Sequence, residues 1–212
     1  MYSGSFGYDE KLPDNIREVF MWLCQDVASL HDKWDFYLKL FDKKNTELLS
    51  ELARSSFQII EESLRDDMAM LICRLSDPAH LGKGERARDN LSFPNLIERL
   101  ENLDNVKESF DNLTEACTTL RKHRNKRVGH NDLKTKIKPK DNPLPGIGRK
   151  DIDRIIQLAE EILNCIYQQY VDCELGFEPN NIGGADDLVF WLQTAKEFDA
   201  MERNAMLSKK SK

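Results

Sequence analysis

Residues 121–130 read Arg-Lys-His-Arg-Asn-Lys-Arg-Val-Gly-His, and no other stretch of this 212-residue chain combines positive charge with reactive side chains so densely. Arg124 is followed directly by the polar Asn125 and, six positions on, by His130. An arginine stabilises phosphate charge through its planar fork of donors. A histidine exchanges protons near neutral pH. The three residues together therefore indicate chemistry on a phosphodiester.

Positive charge is concentrated around this stretch. The net formal charge of the chain is −6, but residues 121–150 hold eleven Lys or Arg against two Asp, which is +9 and leaves −15 for the remainder. An acidic protein with one basic segment is typical of a local polyanion site. The plainer interpretation is a solvated, lysine-rich loop. Because the basic run is continuous with Arg124 and His130, we favour the polyanion site.

Apolar residues recur at three- and four-residue steps along most of the chain, which predicts helices. Pro13 opens the first helix, Asn45 or Thr46 caps the second, and Asp77-Pro78 ends it. The predicted helices cover about 13–42, 46–76, a short segment from Ser92, 105–128, 149–171 and 185–206, with a polar loop at 77–92 and a proline-containing segment at 131–149. No useful length of the sequence alternates as a strand does.

The cysteines and the hydropathy exclude several classes of protein. Five cysteines are scattered without metal-ligand spacing, which indicates a reducing compartment and neither a disulfide scaffold nor a zinc site. No apolar run approaches the length that spans a membrane, and no signal-peptide pattern opens the chain. We therefore expect a cytoplasmic protein that uses no metal and no cofactor.

The arginine, polar residue and histidine at 124, 125 and 130 resemble the Arg-polar-x(3–5)-His signature of the HEPN superfamily, whose members are all-helical and include many metal-independent RNA endonucleases. Further features fall in the order of its AbiU-type branch, which is associated with bacterial phage abortive infection. They are Trp34, the helix start at Leu48-Leu49, Arg74-Leu75-Ser76-Asp77, Asn90-Leu91-Ser92-Phe93, and the run from Leu120 to Lys126. The resemblance extends roughly from Asp32 to Val171.

The resemblance implies an all-α fold, a HEPN-like antiparallel bundle with long helices and an extra C-terminal helix. The corresponding division of the chain is a flexible N-terminus at 1–12, a HEPN-like domain at 13–172, and a C-terminal helix and tail at 173–212 that packs on or extends that domain. A homodimer is also implied. Six residues of ideal helix turn through about 600°, so Arg124 and His130 would not share a face unless Gly129 ended the helix. In the family, dimerisation brings two copies of the motif to one cleft.

The function implied is that of a metal-independent endoribonuclease in a phage-defence or toxin system, whose products are a 2′,3′-cyclic phosphate and a 5′-OH. The catalytic residues are Arg124, Asn125 and His130. The substrate-binding residues are Arg121, His123 and Arg127. The implied partners are RNA, a second copy of the chain, and an antitoxin or a phage-derived trigger.

Other interpretations stay open at this point. The chain could be a catalytically inactive HEPN-like module that binds RNA or protein through residues 121–150. Residues 144–152 resemble the hairpin of helix-hairpin-helix DNA-binding motifs, although prolines occupy the place of the first helix. The motif arginines could simply offset the dipole of a helix C-terminus. Arg74 and Asp77, three residues apart, predict an ion pair or a cap within one helix end, although such a pair could also brace the site.

Overall fold

A computed structural model describes residues 10–82, 84, 87–102, 106–128, 147–179 and 183–210 of the chain. Within these ranges the helices are α1 Asp14–Leu40, α2 Thr46–Leu75, α3 Phe93–Ile97, α4 Lys107–His123, α5 Arg149–Gln168 and α6 Ala185–Lys210. A 3₁₀-helix at Lys43–Asn45 precedes α2, and a π-helical turn at Arg124–Val128 follows α4. The predicted all-α fold with long helices is confirmed. In this part of the chain, no helix is both long and apolar enough to cross a membrane.

The turn between α1 and α2 is closed by two polar side chains. Asp42 caps the 3₁₀-helix, since its carboxylate accepts a hydrogen bond from the Lys44 N–H at 2.9 Å. Asn45 was one of the two predicted caps of α2, but its amide points the other way and donates to the Lys39 carbonyl at 2.8 Å. Asn45 therefore satisfies a free carbonyl at the end of α1, and α2 begins at Thr46.

The described residues fall into two compact units. The first lies within residues 1–31 and 66–178, and the second lies within residues 32–65 and 179–212. Both boundaries of the second unit's first segment lie inside helices, one in α1 and one in α2. The division predicted at 13–172 and 173–212 rests on the resemblance and stays a prediction.

The first unit is built around α4 and α5, which pack against each other. The apolar face of α5 is buried from Ile155 to Ile166, because its aliphatic residues recur every three to four positions. Phe20 of α1 stacks on Tyr167 at a centroid separation of 5.9 Å. Other large side chains that are fully buried in this unit include Leu12, Ile16, Leu23, Leu30, Leu71, Ile72, Leu75, Phe93, Leu96 and Leu113.

The second unit has its own, smaller core. Leu40 at the end of α1 packs with Leu48 and Leu49 of α2 and with Ala185 and Val189 of α6. Partly buried side chains at the edge of this cluster are Phe36, Phe41, Phe57, Leu188 and Leu192. Helix α2 is interrupted here, since Ala53 has φ −160° and ψ 62°.

The segment predicted as a polar loop at 77–92 contains a small antiparallel hairpin, His80–Leu81 with Arg88–Asp89. Gly82 and Gly84 have positive φ values of 91° and 59°, which a residue with a side chain adopts at a cost. His80 lies between two carboxylates, with Nδ1 2.8 Å from Asp89 Oδ1 and Nε2 2.9 Å from Glu98 Oε2. The histidine thus links the hairpin to the residue that follows α3.

The contribution of His80 to stability is expected to depend on pH. Hydrogen bonds from the protonated ring to Asp89 and then to Glu98 raise the pKa of His80 above its ordinary value. The stabilisation is therefore complete below about pH 6.5 and is lost as the pH rises through the elevated pKa. Melting temperatures should show a larger deficit for His80→Ala at pH 6 than at pH 8.5. The deficit of Arg88→Ala, in the same hairpin, should not vary in that way; an equal His80→Ala deficit at both pH values would contradict the prediction.

Candidate active site

The last turn of α4 carries Arg121, Lys122 and His123, and Arg124 is its C-cap residue. Cations at this end of a helix complement the helix dipole. The backbone then widens into the π-helical turn at Arg124–Val128. Turns of this kind occur frequently at functional sites. Arg121 and Arg124 lie three positions apart, so they share one face of α4.

Arg121 is tied to the end of α2. Its Nη2 donates to the backbone carbonyl and to the Oγ of Ser76, both at 2.7 Å, and its Nη1 lies 3.5 Å from Asp77 Oδ1. Ser76 is buried and Arg121 is about one-third exposed. Charge-assisted hydrogen bonds of this length are strong ones, which makes Arg121 part of the packing between α4 and the end of α2.

Arg124 is held by two neighbours. Its Nη1 lies 3.4 and 3.3 Å from the two Asp77 carboxylate oxygens, and its Nε donates to Asn125 Oδ1 at 3.1 Å. The side chain is only 19% exposed. Among the described residues, these contacts use Nε and Nη1, and Nη2 makes no hydrogen bond. A guanidinium held at two of its nitrogens has already lost most of its rotamer freedom, so it is preorganised for an incoming anion.

The charges in this network do not cancel. Two guanidinium groups, Arg121 and Arg124, share the single carboxylate of Asp77, and Lys122 and Lys126 are exposed nearby in sequence. Positive charge is therefore left over at the end of α4. A partly buried excess of this kind attracts a phosphate more strongly than the same charge in open water.

Two buried thiols lie beneath the arginines. Burial raises the pKa of Cys73 to about 11, although Arg124 and Arg121 act in the opposite direction. Burial also raises the pKa of Cys117, against a hydrogen bond from Ser76. A thiol is a nucleophile only as the thiolate, so both cysteines are packing residues at neutral pH.

The predicted site residues differ in how far the structure describes them. Ser76 and Asp77 bring Arg121 and Arg124 together, and Asn125 accepts a hydrogen bond from Arg124. His123 is the last residue of α4 and is half-buried. The side chain of Arg127 and the whole of His130 lie outside the described residues. Their predicted roles stay predictions.

Ser76 is the residue of this network to which the sequence assigned no role, and for Asp77 bracing of the site was only the alternative to an ion pair or cap with Arg74. The expected partner of Asp77 was Arg74, three residues earlier on the same helix end. The structure instead pairs its carboxylate with Arg121 and Arg124, more than forty positions along the chain. The available signal was the tetrapeptide Arg74-Leu75-Ser76-Asp77, which places two polar side chains directly after a buried helical face.

The glycine-containing segment before α5 bonds to its own helix where the structure describes it. Gly148 is the N-cap of α5, and its N–H donates to the Asp151 carboxylate at 2.7 Å. A DNA-binding hairpin would offer such an amide to a phosphate, but here a carboxylate occupies it. This half of the segment is a helix start, as expected; Pro145 and Gly146 lie outside the described residues.

Comparison with known proteins gave one match. A family model, HEPN_AbiU2, described as AbiU2, matches residues 14–185. Searches of curated proteins and of solved structures found no match. The matched span includes α1 to α5, the Ser76–Asp77 pair and the motif at the end of α4. Within the described ranges, no group of three or more His, Cys, Asp or Glu side chains could hold a metal ion.

Proposed function

This chain belongs to the AbiU2 family of HEPN domains, and on that premise we propose that it is a metal-independent endoribonuclease of a phage-defence or abortive-infection system. One observation carries the proposal. Arg124, the arginine of the motif, is held by Asp77 and Asn125 in a partly buried position, and in the described part of the chain its Nη2 has no hydrogen-bond partner and could meet a phosphate. A helix-dipole role alone would not require this double support.

The proposed chemistry uses the nucleophile that RNA itself provides. The 2′-oxygen attacks the adjacent phosphorus, its proton passes to a base, and the bond from phosphorus to the 5′-oxygen breaks as that oxygen gains a proton. His130 takes a proton-transfer role, for which a histidine near its ordinary titration range is suited. Arg124 stabilises the charge that develops on the phosphorane oxygens. The products are a 2′,3′-cyclic phosphate and a 5′-OH.

The remaining motif residues support this centre. Asn125 orients the Arg124 guanidinium by accepting the hydrogen bond from Nε, and its side chain is exposed. Arg121 contributes positive charge while its donors hold the end of α2. His123 and Arg127 are assigned to the path of the RNA backbone. A duplicated site is part of the proposal, with two copies of the chain placing their motifs in one cleft.

The setting we propose is the bacterial cytoplasm, where the RNA substrate is found. Unregulated cleavage of RNA is harmful to the host, so a partner antitoxin or a phage-derived trigger is expected to control the activity. The alternative function is that of an inactive HEPN-like module that binds RNA or protein. The cluster of Arg121, Arg124 and Asp77 has a net positive charge, which is compatible with the nuclease and with the inactive module. Binding and cleavage of RNA both require a phosphate contact.

Cleavage of a mixed RNA substrate in EDTA tests the proposal. Wild-type protein is expected to cut the RNA and to leave cyclic phosphate ends, whereas His130→Ala should bind the RNA and leave it uncut. His80→Ala, an exposed histidine in the hairpin, is the matched control and should cut as wild type does. Cleavage by His130→Ala at the wild-type rate would refute the role of that histidine. Binding without cleavage by any of the three proteins would favour the inactive module.

A further inference from the structure

Helix α6 has two apolar faces, and the described part of the chain covers one of them. Ala185 and Val189 are buried in the core of the second unit. Trp191, Phe198 and Met201 are 65%, 58% and 63% exposed. Successive residues of an α-helix are about 100° apart, which puts the exposed set on the side opposite the buried set. A helix buried on one side only would carry polar residues there.

The exposed face follows the spacing of a helix-pairing seam. Trp191, Thr194, Phe198, Met201 and Ala205 are separated by steps of three, four, three and four, which are the a and d positions of two heptads. All five are exposed. The seam is about 21 Å long, which matches a partner helix of about 15 residues. Large exposed side chains in one continuous line mark an interaction surface.

Charge on the two sides of α6 is segregated. Glu197 and Glu202 flank the seam, one on each side, at the g and e positions. The basic residues between Ala185 and Met206 lie on the other side of the helix and are engaged: Lys196 pairs with Glu51, and Arg203 pairs with Asp199 at 2.8 Å. The seam is therefore apolar with an acidic border.

We propose that this face of α6, Trp191 to Ala205, is a docking surface for an amphipathic helix of a partner protein that carries lysine or arginine beside its apolar stripe. The partner's apolar residues cover the seam, and its cations face Glu197 and Glu202. The surface begins beyond the family match, which ends at Ala185. The proposal uses no residue of the motif at the end of α4, and it does not depend on RNA cleavage.

Two other occupants are disfavoured by the same acidic border. In a parallel pair of α6 helices, Glu197 would face Glu202 of the second copy. In an antiparallel pair that is registered on Glu197, the two Glu197 side chains would face each other. Like charges across a pairing seam destabilise it. A membrane surface that attracts amphipathic helices is usually anionic, and helices that bind it carry lysine and arginine at the border instead of glutamate.

Binding of two synthetic helical peptides to the full chain tests the proposal. Both carry leucine at a and d; one has lysine at e and g, and the other has glutamate. Fluorescence anisotropy of the labelled lysine peptide should show saturable binding at least tenfold tighter than that of the glutamate peptide, and the difference should shrink as salt is added. Phe198→Ser should abolish binding. Gln193→Ser, an equally exposed position off the seam, should not change it.

A second pair of variants tests the border. Glu197→Gln combined with Glu202→Gln should bring the two peptides to similar affinities. Equal affinity of both peptides for the wild-type chain would overturn the proposal, as would binding that survives Phe198→Ser. Self-association lost on Phe198→Ser in sedimentation would assign the face to a second copy instead. Phe198-dependent binding to phosphatidylglycerol vesicles, without peptide binding, would assign it to a membrane.

Discussion

Arg124→Ala is expected to slow RNA cleavage by about 10²–10³-fold, the usual consequence of removing one group that stabilises transition-state charge. Single-turnover rates in EDTA measure this directly. The fold should survive, because Asp77 keeps its contact with Arg121 at 3.5 Å. Arg154→Ala removes an exposed arginine of α5 that pairs with Glu161, and it should leave the rate unchanged.

Arg124→Lys refines the same prediction. Lysine retains the positive charge but not the planar fork, so it cannot contact Asp77 and Asn125 while presenting a further donor to a phosphate. We expect it to recover only a small part of the lost rate. Full activity of the lysine variant would mean that charge alone suffices, and the geometry described for Nε and Nη1 would then have no catalytic consequence.

Asp77→Asn should reduce cleavage by about 10²-fold without removing any group that touches RNA. The asparagine keeps the shape of the side chain but loses the charge that fixes Arg124, and small displacements of a stabilising group have effects of this size. Since Asp77 is a positioning residue, kcat should fall while KM changes little. Asp77→Glu should restore part of the rate.

The same substitution should also lower stability. Two partly buried guanidinium groups would lose their shared carboxylate, at a cost of about 1–3 kcal/mol. For a chain of this length that corresponds to about 2–4 °C in melting temperature for each kcal/mol. Asp111→Asn, which removes an exposed carboxylate from α4, is the matched control and should alter neither the melting temperature nor kcat. A wild-type rate of RNA cleavage by Asp77→Asn would show that the ion pair between Asp77 and Arg124 serves stability alone.

The helices could be predicted from the sequence because their signals are local. The 3.6-residue apolar period, Pro13, Ser92-Phe93-Pro94 and Gly148 placed the helix starts close to those observed. The hairpin at His80–Asp89 could not be predicted in this way. Strands of two residues are too short to show alternation, and the hairpin's fixed geometry depends on two glycines and on the contact with Glu98.

The candidate site was predicted in part for a related reason. A dense run of charge such as Arg121 to Arg124 is visible in any window of the sequence. The partner of Asp77 is not, because a carboxylate at a helix end can pair with any cation that tertiary folding brings near it, and Arg74 was the nearest one along the chain. Sequence periodicity likewise does not show which of the two apolar faces of α6 the core will cover.

The π-helical turn at Arg124–Val128 alters how the number of residues between two positions sets the angle between their side chains. In an α-helix, a fixed number of residues sets a fixed angle between two side chains, so inserting one residue would rotate the second away by about 100°. A wide turn absorbs one residue at nearly constant direction. An insertion within Arg124–Val128 would therefore redirect the chain that leaves the turn by less than the same insertion within α4.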